Sequence, residues 1–80
     1  MTRDQIYSEL TVIFRDVFDN DQIKPNDQMT AKDVPQWDSL NHINLIIATE
    51  KHFKFKFETS EVINLANVGD LVNVIARKIS

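Results

Sequence analysis

The sequence predicts a small all-α fold, a bundle of three longer helices and one short helix, with a long loop between helices 1 and 2. A single glycine and two prolines leave too few turn residues for a turn-rich β fold of 80 residues. Apolar residues also recur at intervals of three and four over long stretches, which is the period of an amphipathic helix. We interpret residues 1–80 as one domain, near the size at which a single core becomes marginal.

Composition and charge exclude several classes of function. Hydrophobic residues make up 42% and charged residues 26% of the chain, which is typical of a folded domain rather than a disordered one. The net charge of −3 gives no basic surface for nucleic acid, and without cysteine no disulfide can form. The apolar run 45–48 is far too short to span a bilayer, and the first residues do not resemble a signal peptide. We therefore expect a cytoplasmic protein with no membrane span.

A first helix is predicted from about Thr2 to Phe18. Thr2 followed three residues later by Gln5 predicts a capping box, and Asp19-Asn20-Asp21 ends the segment. Its apolar stripe consists of Ile6, Leu10, Ile13, Phe14, Val17 and Phe18.

Residues 19–37 form a loop that is long for so small a domain, and loops of this length usually carry function or are held by their own side chains. Thr30 followed by Asp33 predicts a short turn capped from both sides. We interpret Trp37 mainly as a core anchor. The residues expected to hold the loop are Ile23, Met29, Val34 and Trp37.

The second helix is predicted to run from Ser39 to Phe53. Pro35 disfavours a helical conformation at the preceding residue, and Asp38 is then the natural N-cap, which leaves Ser39 at the first helical position. A phosphate attached there would meet unpaired N–H donors and the positive end of the helix dipole. Two apolar ridges follow on this helix: Leu45, Ile46, Thr49 and Phe53 on one side, and Leu40, Ile43 and Ile47 directly below Ser39 on the other.

The remaining chain predicts a connector and two further helices. Residues 53–57 alternate Phe and Lys, which we interpret as an extended connector with inward phenylalanines, since an isolated strand has no partner. Thr59 or Ser60 should cap a short helix through Leu65. Asn67 and Asp70 form a predicted capping pair for the last helix. The stripe of that helix is Val68, Leu71, Val72, Ile75 and Ile79.

These residues together resemble the acyl carrier protein family over almost the whole chain. The matching residues are Asp38-Ser39-Leu40, Ile43, Leu45, Ile46, Ile47, Phe53 and Val68-Gly69-Asp70-Leu71. The resemblance implies that Ser39 carries a covalent 4′-phosphopantetheine arm whose thiol holds an acyl group as a thioester. It also implies that Trp37, Asp38 and Leu40 border this attachment site, with Asp38 suited to help bind the divalent cation of the transferase reaction.

The resemblance further implies two sets of residues and several enzyme partners. The implied partner-binding residues are Leu40, Asn41, Ile43, Asn44, Ile47, Glu50 and Lys51. The implied acyl pocket is lined by His42, Ile46, Phe53, Leu65 and Leu71. The implied partners are a phosphopantetheinyl transferase and acyl-activating, acyl-transferring or condensing enzymes, acting on a carrier that we expect to be a monomer and not itself an enzyme.

One feature departs from the commonest pattern of the family. Fatty-acid carriers usually have an acidic second helix, whereas Glu50 is the only acid after Asp38 in this one, and lysines follow it. This predicts a specialised stand-alone carrier for a dedicated pathway. An aminoacyl or peptidyl carrier of a nonribosomal-type pathway remains an alternative, as does an unmodified helical interaction module in which Ser39 only starts a helix.

Two catalytic or metal-binding interpretations have less support. His42 follows Ser39 by three residues, but no residue is evident to orient its ring and no Gly-rich turn precedes the serine, so a hydrolase is disfavoured. We interpret His42 as a hydrogen-bonded core histidine or one that lines the mouth of the acyl pocket. His42 and His52 are ten residues apart without clustered acids, so no metal site is predicted.

Overall fold

Four α-helices make up the protein in a computed structural model, in which residues 1–79 are described. The helices are α1 (Arg3–Val17), α2 (Ser39–Phe53), α3 (Thr59–Ile63) and α4 (Val68–Ile79), with a 3-10 turn at Ala31–Asp33. No strand occurs within residues 1–79. The predicted class, three longer helices and a short one with a long loop after the first, is confirmed.

The predicted capping box at the start of α1 is present. The Thr2 hydroxyl accepts a hydrogen bond from the Gln5 N–H at 3.2 Å, and the Gln5 side chain accepts one from the Thr2 N–H at 2.7 Å. Thr30 and Asp33 make the equivalent reciprocal cap around the 3-10 turn. Because these pairs satisfy N–H groups that the helix itself leaves free, each element begins at a defined residue.

One hydrophobic core joins α1, α2 and α4. α1 packs against both other helices, and two loop side chains complete the core. The buried core residues are Ile6, Leu10, Ile13, Phe14, Phe18, Ile23, Val34, Leu45, Val68, Leu71, Val72 and Ile75. With no cysteine in the chain, this packing and the loop contacts must supply the stability.

The middle of the long loop is fixed to α1 by the Asp27 carboxylate. It accepts hydrogen bonds from the Tyr7 hydroxyl and, at 2.9 Å, from the Arg3 guanidinium. These two hydrogen bonds, the one from Tyr7 first, hold the pKa of Asp27 below its ordinary value. Burial, with a further contribution from the Asp27 hydrogen bond, raises the pKa of Tyr7 to about 12.

The same part of the loop is joined through its backbone to the start of α4. The Asp27 carbonyl accepts from the Gly69 N–H at 3.1 Å, and the Met29 carbonyl accepts from the Val68 N–H at 2.8 Å. A Cβ at Gly69 would lie 2.9 Å from the Asp27 oxygen, so only glycine permits this approach. The loop is therefore held between α1 and α4.

The segment after α2 places its phenylalanines against the core, as predicted, and residues 55–57 form neither helix nor strand. Phe53, Phe55 and Phe57 are half-buried against the core, while Lys54 and Lys56 are exposed. Lys54 ends α2 in the left-handed region with φ 60°. The alternation of the sequence therefore reflects an inner and an outer side of a connector.

The predicted start and end of α3 are wrong. The helix is capped at Glu58 rather than at Thr59 or Ser60, and it ends at Ile63 rather than Leu65. The physical reason is Glu61, whose carboxylate accepts the Glu58 N–H at 2.7 Å. Basic residues of α4 also bind this carboxylate, with the Lys78 ammonium at 3.1 Å. A contact between residues distant in sequence therefore helps to set the start of α3.

The cap of α4 is close to the prediction. The Asn67 side chain accepts from the Asp70 N–H at 2.8 Å, as expected of a capping pair. The Asp70 carboxylate, however, accepts from the Ala66 N–H at 3.0 Å, one residue before Asn67. The predicted stripe of α4 is buried from Val68 to Ile75.

We expect Asp27→Asn to reduce the acid sensitivity of the domain. Because folding lowers the pKa of Asp27, this carboxylate stabilises the fold above its unfolded pKa, and that contribution is lost as the pH falls through the folded pKa. The free energy of unfolding, measured by urea denaturation between about pH 6 and pH 2, should therefore decrease less steeply in Asp27→Asn than in the wild type. The exposed Asp16 gives the control Asp16→Asn, and equal slopes for Asp27→Asn and the wild type would contradict the assignment.

Candidate functional site

The start of α2 displays Ser39 at the surface. The Asp38 carboxylate accepts the Asn41 N–H at 2.8 Å, and the Asp38 carbonyl accepts the first helical hydrogen bond, from His42, at 2.9 Å. The N-cap and the helix start predicted from the sequence are thus confirmed, and Ser39 is exposed at the first helical position. The first N–H groups of α2 have no partner within the helix, and of these Asp38 caps that of Asn41.

Trp37 fixes this helix start to the rest of the protein. Its half-buried indole packs edge-on against Phe14 with ring centroids 5.6 Å apart, and lies 5.4 Å from the ring of Phe18. On its other side the indole Nε1–H donates to Nδ1 of His42 at 3.1 Å, with the two rings stacked. Trp37 is therefore a core anchor that connects the end of the loop to both α1 and α2.

A cavity of about 90 Å³ lies beside Trp37, between α2 and the residues that precede and begin α4. Of the residues predicted for an acyl pocket, His42, Leu65 and Leu71 line it, and Ile46 and Phe53 do not. Phe53 is eleven residues beyond His42, about 16 Å along the helix, and contacts Phe55 instead. Ile46 is buried one turn further along α2, where it does not border this cavity.

Other lining residues were not predicted from the sequence. The indole of Trp37, the side chain of Leu45 and Asn67 before α4 all border the cavity. Leu45 had been interpreted as core only, and Trp37 as a core anchor that also borders the attachment site, but neither was predicted to line the acyl pocket. Asn67 lies outside the helices, so no periodic pattern marks it as a neighbour of α2.

The two apolar ridges of α2 lie in different environments. Leu45 and Thr49 are fully buried and Ile46 is nearly so, and the Thr49 hydroxyl donates to the Leu45 carbonyl at 2.7 Å. The second ridge, which we call the exposed row, retains 68% exposure at Leu40, 55% at Ile43 and 43% at Ile47. The exposed row follows directly from Ser39 along the helix, whereas its role in binding partners stays a prediction.

The polar residues predicted to bind partners make contacts within the fold. The Asn41 amide donates to the Gln36 carbonyl at 2.8 Å and accepts from the Asn44 side chain at 3.1 Å. These two asparagines therefore help to hold the loop end against the first turns of α2, in addition to facing solvent.

Glu50, the acid expected on the partner face, is engaged by the connector. Its carboxylate accepts the Phe57 N–H at 2.8 Å and lies 4.0 Å from the Lys56 ammonium, and its side chain is only 15% exposed. Lys51 and Lys54 are exposed near the same end of α2. The far end of the helix is consequently basic, although the whole protein carries a net charge of −3.

The geometry around His42 does not support nucleophilic catalysis by Ser39. An indole N–H can only donate, so Nδ1 of His42 is the acceptor and the neutral ring carries its hydrogen on Nε2. Nε2 then has no lone pair with which to take a proton from serine. In a catalytic triad the base instead donates its Nδ1–H to a carboxylate.

The other histidine joins two helices. His52 Nε2 lies 2.7 Å from Glu9 Oε1, which connects α2 to α1. Within residues 1–79, no group of three or more His, Cys, Asp or Glu side chains is placed to hold a metal ion. No helix in this range is long and apolar enough to cross a membrane.

A small helical bundle with an exposed serine at the start of one helix and an exposed apolar row below it is the arrangement expected of a carrier domain. No protein-family model and no curated protein matches the chain. Among solved structures, the chain is similar to the solution NMR structure of holo acyl carrier protein from Geobacter metallireducens. The two share 45% identity over 91% of this chain and 84% of the other, with a TM-score of 0.87. The chain belongs to the acyl carrier protein family, and it is a carrier rather than an enzyme.

We expect Trp37→Phe to destabilise the domain by about 1 kcal/mol, because the ring contacts with Phe14 and Phe18 are largely kept while the hydrogen bond to His42 is lost. Trp37→Ala should cost about 3–5 kcal/mol, since the whole aromatic contact is removed. Urea denaturation of both variants measures these differences. An unchanged midpoint for Trp37→Ala would show that the indole does not anchor the loop.

Proposed function

We propose that Ser39 is the attachment point of a 4′-phosphopantetheine arm, and that the domain presents acyl thioesters on this arm to the enzymes of a dedicated biosynthetic pathway. The observation that carries the proposal is the exposure of Ser39 at the first position of α2, directly after the Asp38 cap. The similar structure from Geobacter metallireducens is a holo carrier protein, which supports the presence of such an arm.

The residues around Ser39 fit a phosphate diester. The unpaired N–H groups of the first turn and the helix dipole favour a negative group at this position. In the loading reaction the Ser39 oxygen would bond to the phosphorus next to the pantetheine unit of coenzyme A, and the pyrophosphate P–O bond would break to release adenosine 3′,5′-bisphosphate. An external transferase must remove the serine proton, because His42 is not placed to do so. The exposed Asp38 carboxylate is placed to help bind the divalent cation of that enzyme.

The exposed row is the proposed docking surface for the transferase and for the acyl-activating, acyl-transferring or condensing enzymes. It begins at Leu40, next to Ser39, and continues through Ile43 to Ile47. Apolar side chains exposed in a row on one helix commonly mark an interaction site. Because the arm raises the effective concentration of its cargo near each enzyme, a small and weak interface is sufficient.

The charge of α2 supports a dedicated set of partners. The Glu50 carboxylate is hydrogen-bonded to the connector, whereas Lys51 and Lys54, which follow the exposed row in sequence, are open to solvent. An enzyme that recognises acidic side chains on the second helix of its carrier would find none free there. A partner with an apolar recess and acidic residues at its edge would complement this surface.

Ser39→Ala should abolish modification of the protein. Incubation with coenzyme A, a divalent cation and a broad-specificity phosphopantetheinyl transferase is expected to add one arm to the wild type, as measured by intact mass. Ser60→Ala, which removes another exposed helical serine, is the matched control and should be modified like the wild type. If the wild type gains no mass under conditions that modify a known carrier, the chain is an unmodified interaction module.

Leu40→Glu should impair docking and leave the fold intact, because this side chain is 68% exposed. We expect kcat/KM for the transferase reaction to fall about tenfold, as for the loss of an apolar contact at an interface, with an unchanged circular dichroism spectrum. Val12→Glu, at a similarly exposed position on α1, is the control and should retain the wild-type rate. Unfolding of Leu40→Glu would instead identify Leu40 as a core residue.

A further inference from the structure

The residues that precede Ser39 form a tight turn that is held from within α2. The Gln36 carbonyl accepts the Asp38 N–H at 3.1 Å, which closes a three-residue turn, and it also accepts the Asn41 side-chain amide at 2.8 Å. Asn41 donates its backbone N–H to the Asp38 carboxylate at 2.8 Å as well. Two hydrogen bonds from Asn41 therefore reach both the start of the turn and the cap residue that ends it.

The side chain of Asn41 is itself oriented by its neighbour on α2. Its carbonyl oxygen accepts from the Asn44 amide at 3.1 Å, about one turn further along the helix. Because a carbonyl oxygen can only accept, the NH₂ group is the end of the Asn41 amide that can bond to the Gln36 carbonyl. Both ends of this amide are thus engaged within the fold.

We infer that Asn41 is a positioning residue for the loading of Ser39, and that it acts by holding the Gln36 carbonyl. This role differs from the direct partner contact that the family resemblance implies for Asn41. The inference rests on the proposed function, because it concerns the transfer of the phosphopantetheine arm. In that transfer the Ser39 hydroxyl has to meet the phosphorus while the Asp38 carboxylate meets the divalent cation, so the two must face one active site together. The helix holds the backbone on the Ser39 side, and Asn41 holds it on the loop side.

The hydrogen bond to Gln36 sets the expected size of the effect. A net hydrogen bond in a protein favours the paired state by about fivefold in the equilibrium. Without it, the observed arrangement of the turn should be populated about fivefold less relative to its alternatives. The exposed row is unaffected by this loss, so the transferase should still bind the carrier. Because transfer requires aligned groups, the loss belongs in the rate of the chemical step and not in the affinity.

Single-turnover loading separates these two quantities. The full chain is mixed with coenzyme A, a divalent cation and an excess of a broad-specificity phosphopantetheinyl transferase, and intact mass follows the reaction. Varying the enzyme concentration gives a maximal rate constant and a half-saturating concentration.

Asn41→Asp is the test variant. Its carboxylate can still accept from Asn44 but cannot donate to the Gln36 carbonyl. An acid in the first turn is favoured by the helix dipole, so the variant should remain folded by circular dichroism. We expect the maximal rate constant to fall about fivefold, with an unchanged half-saturating concentration. Asn41→Ala, which removes the donor without adding charge, should behave in the same way, and it decides the matter if Asn41→Asp does not fold.

Gln36→Glu is the matched control. It makes the same exchange of an amide for a carboxylate at an exposed position of the same turn, and it leaves the backbone carbonyl of residue 36 in place. This variant should be loaded with the wild-type rate constant.

The outcomes distinguish this inference from the proposed function. A wild-type maximal rate constant in the Asn41 variants, or an equal loss in Gln36→Glu, overturns the positioning role and leaves the carrier function intact. A change confined to the half-saturating concentration also overturns it, because this result identifies Asn41 as a direct contact of the transferase. Failure of the transferase to load the wild type, while a known carrier is loaded, overturns both.

Discussion

The contact between Trp37 and His42 is the interaction on which the site depends. The loop from α1 to α2 is long, and without an anchor at its end the first turn of α2 would have no fixed position. The indole packs on two phenylalanines of the α1 end and donates to the first turns of α2. One side chain thus fixes where Ser39 is displayed and forms a wall of the cavity beside it.

The second helix has to satisfy two requirements at once. Its inner side is buried at Leu45 and Thr49, whereas its outer side exposes Leu40 and Ile43. Burial stabilises the inner side, while the exposed row gains nothing from folding and leaves apolar surface in water. Folding alone therefore leaves the exposed row unexplained, and the proposed docking surface would account for it.

Local patterns were sufficient to predict most of the fold. The bounds of α2, the capping box at Thr2 and the inward phenylalanines of the connector depend on neighbours in sequence, and all are confirmed. The start of α3, the engagement of Glu50 and several residues that line the cavity, Trp37, Leu45 and Asn67 among them, were not predicted. Each depends on groups far apart along the chain, as when α4 holds Glu61 at the cap of α3, so periodicity carries no signal for them.

The hydrogen bond of the polar pair beside the cavity contributes to stability, but stability alone does not require the pair to be polar. Trp37 and His42 satisfy one another, yet two apolar rings of similar size would fill the same space with no donor to be satisfied. The hydrogen bond, unlike apolar packing, is directional, so it fixes the orientation of the two rings beside the start of α2.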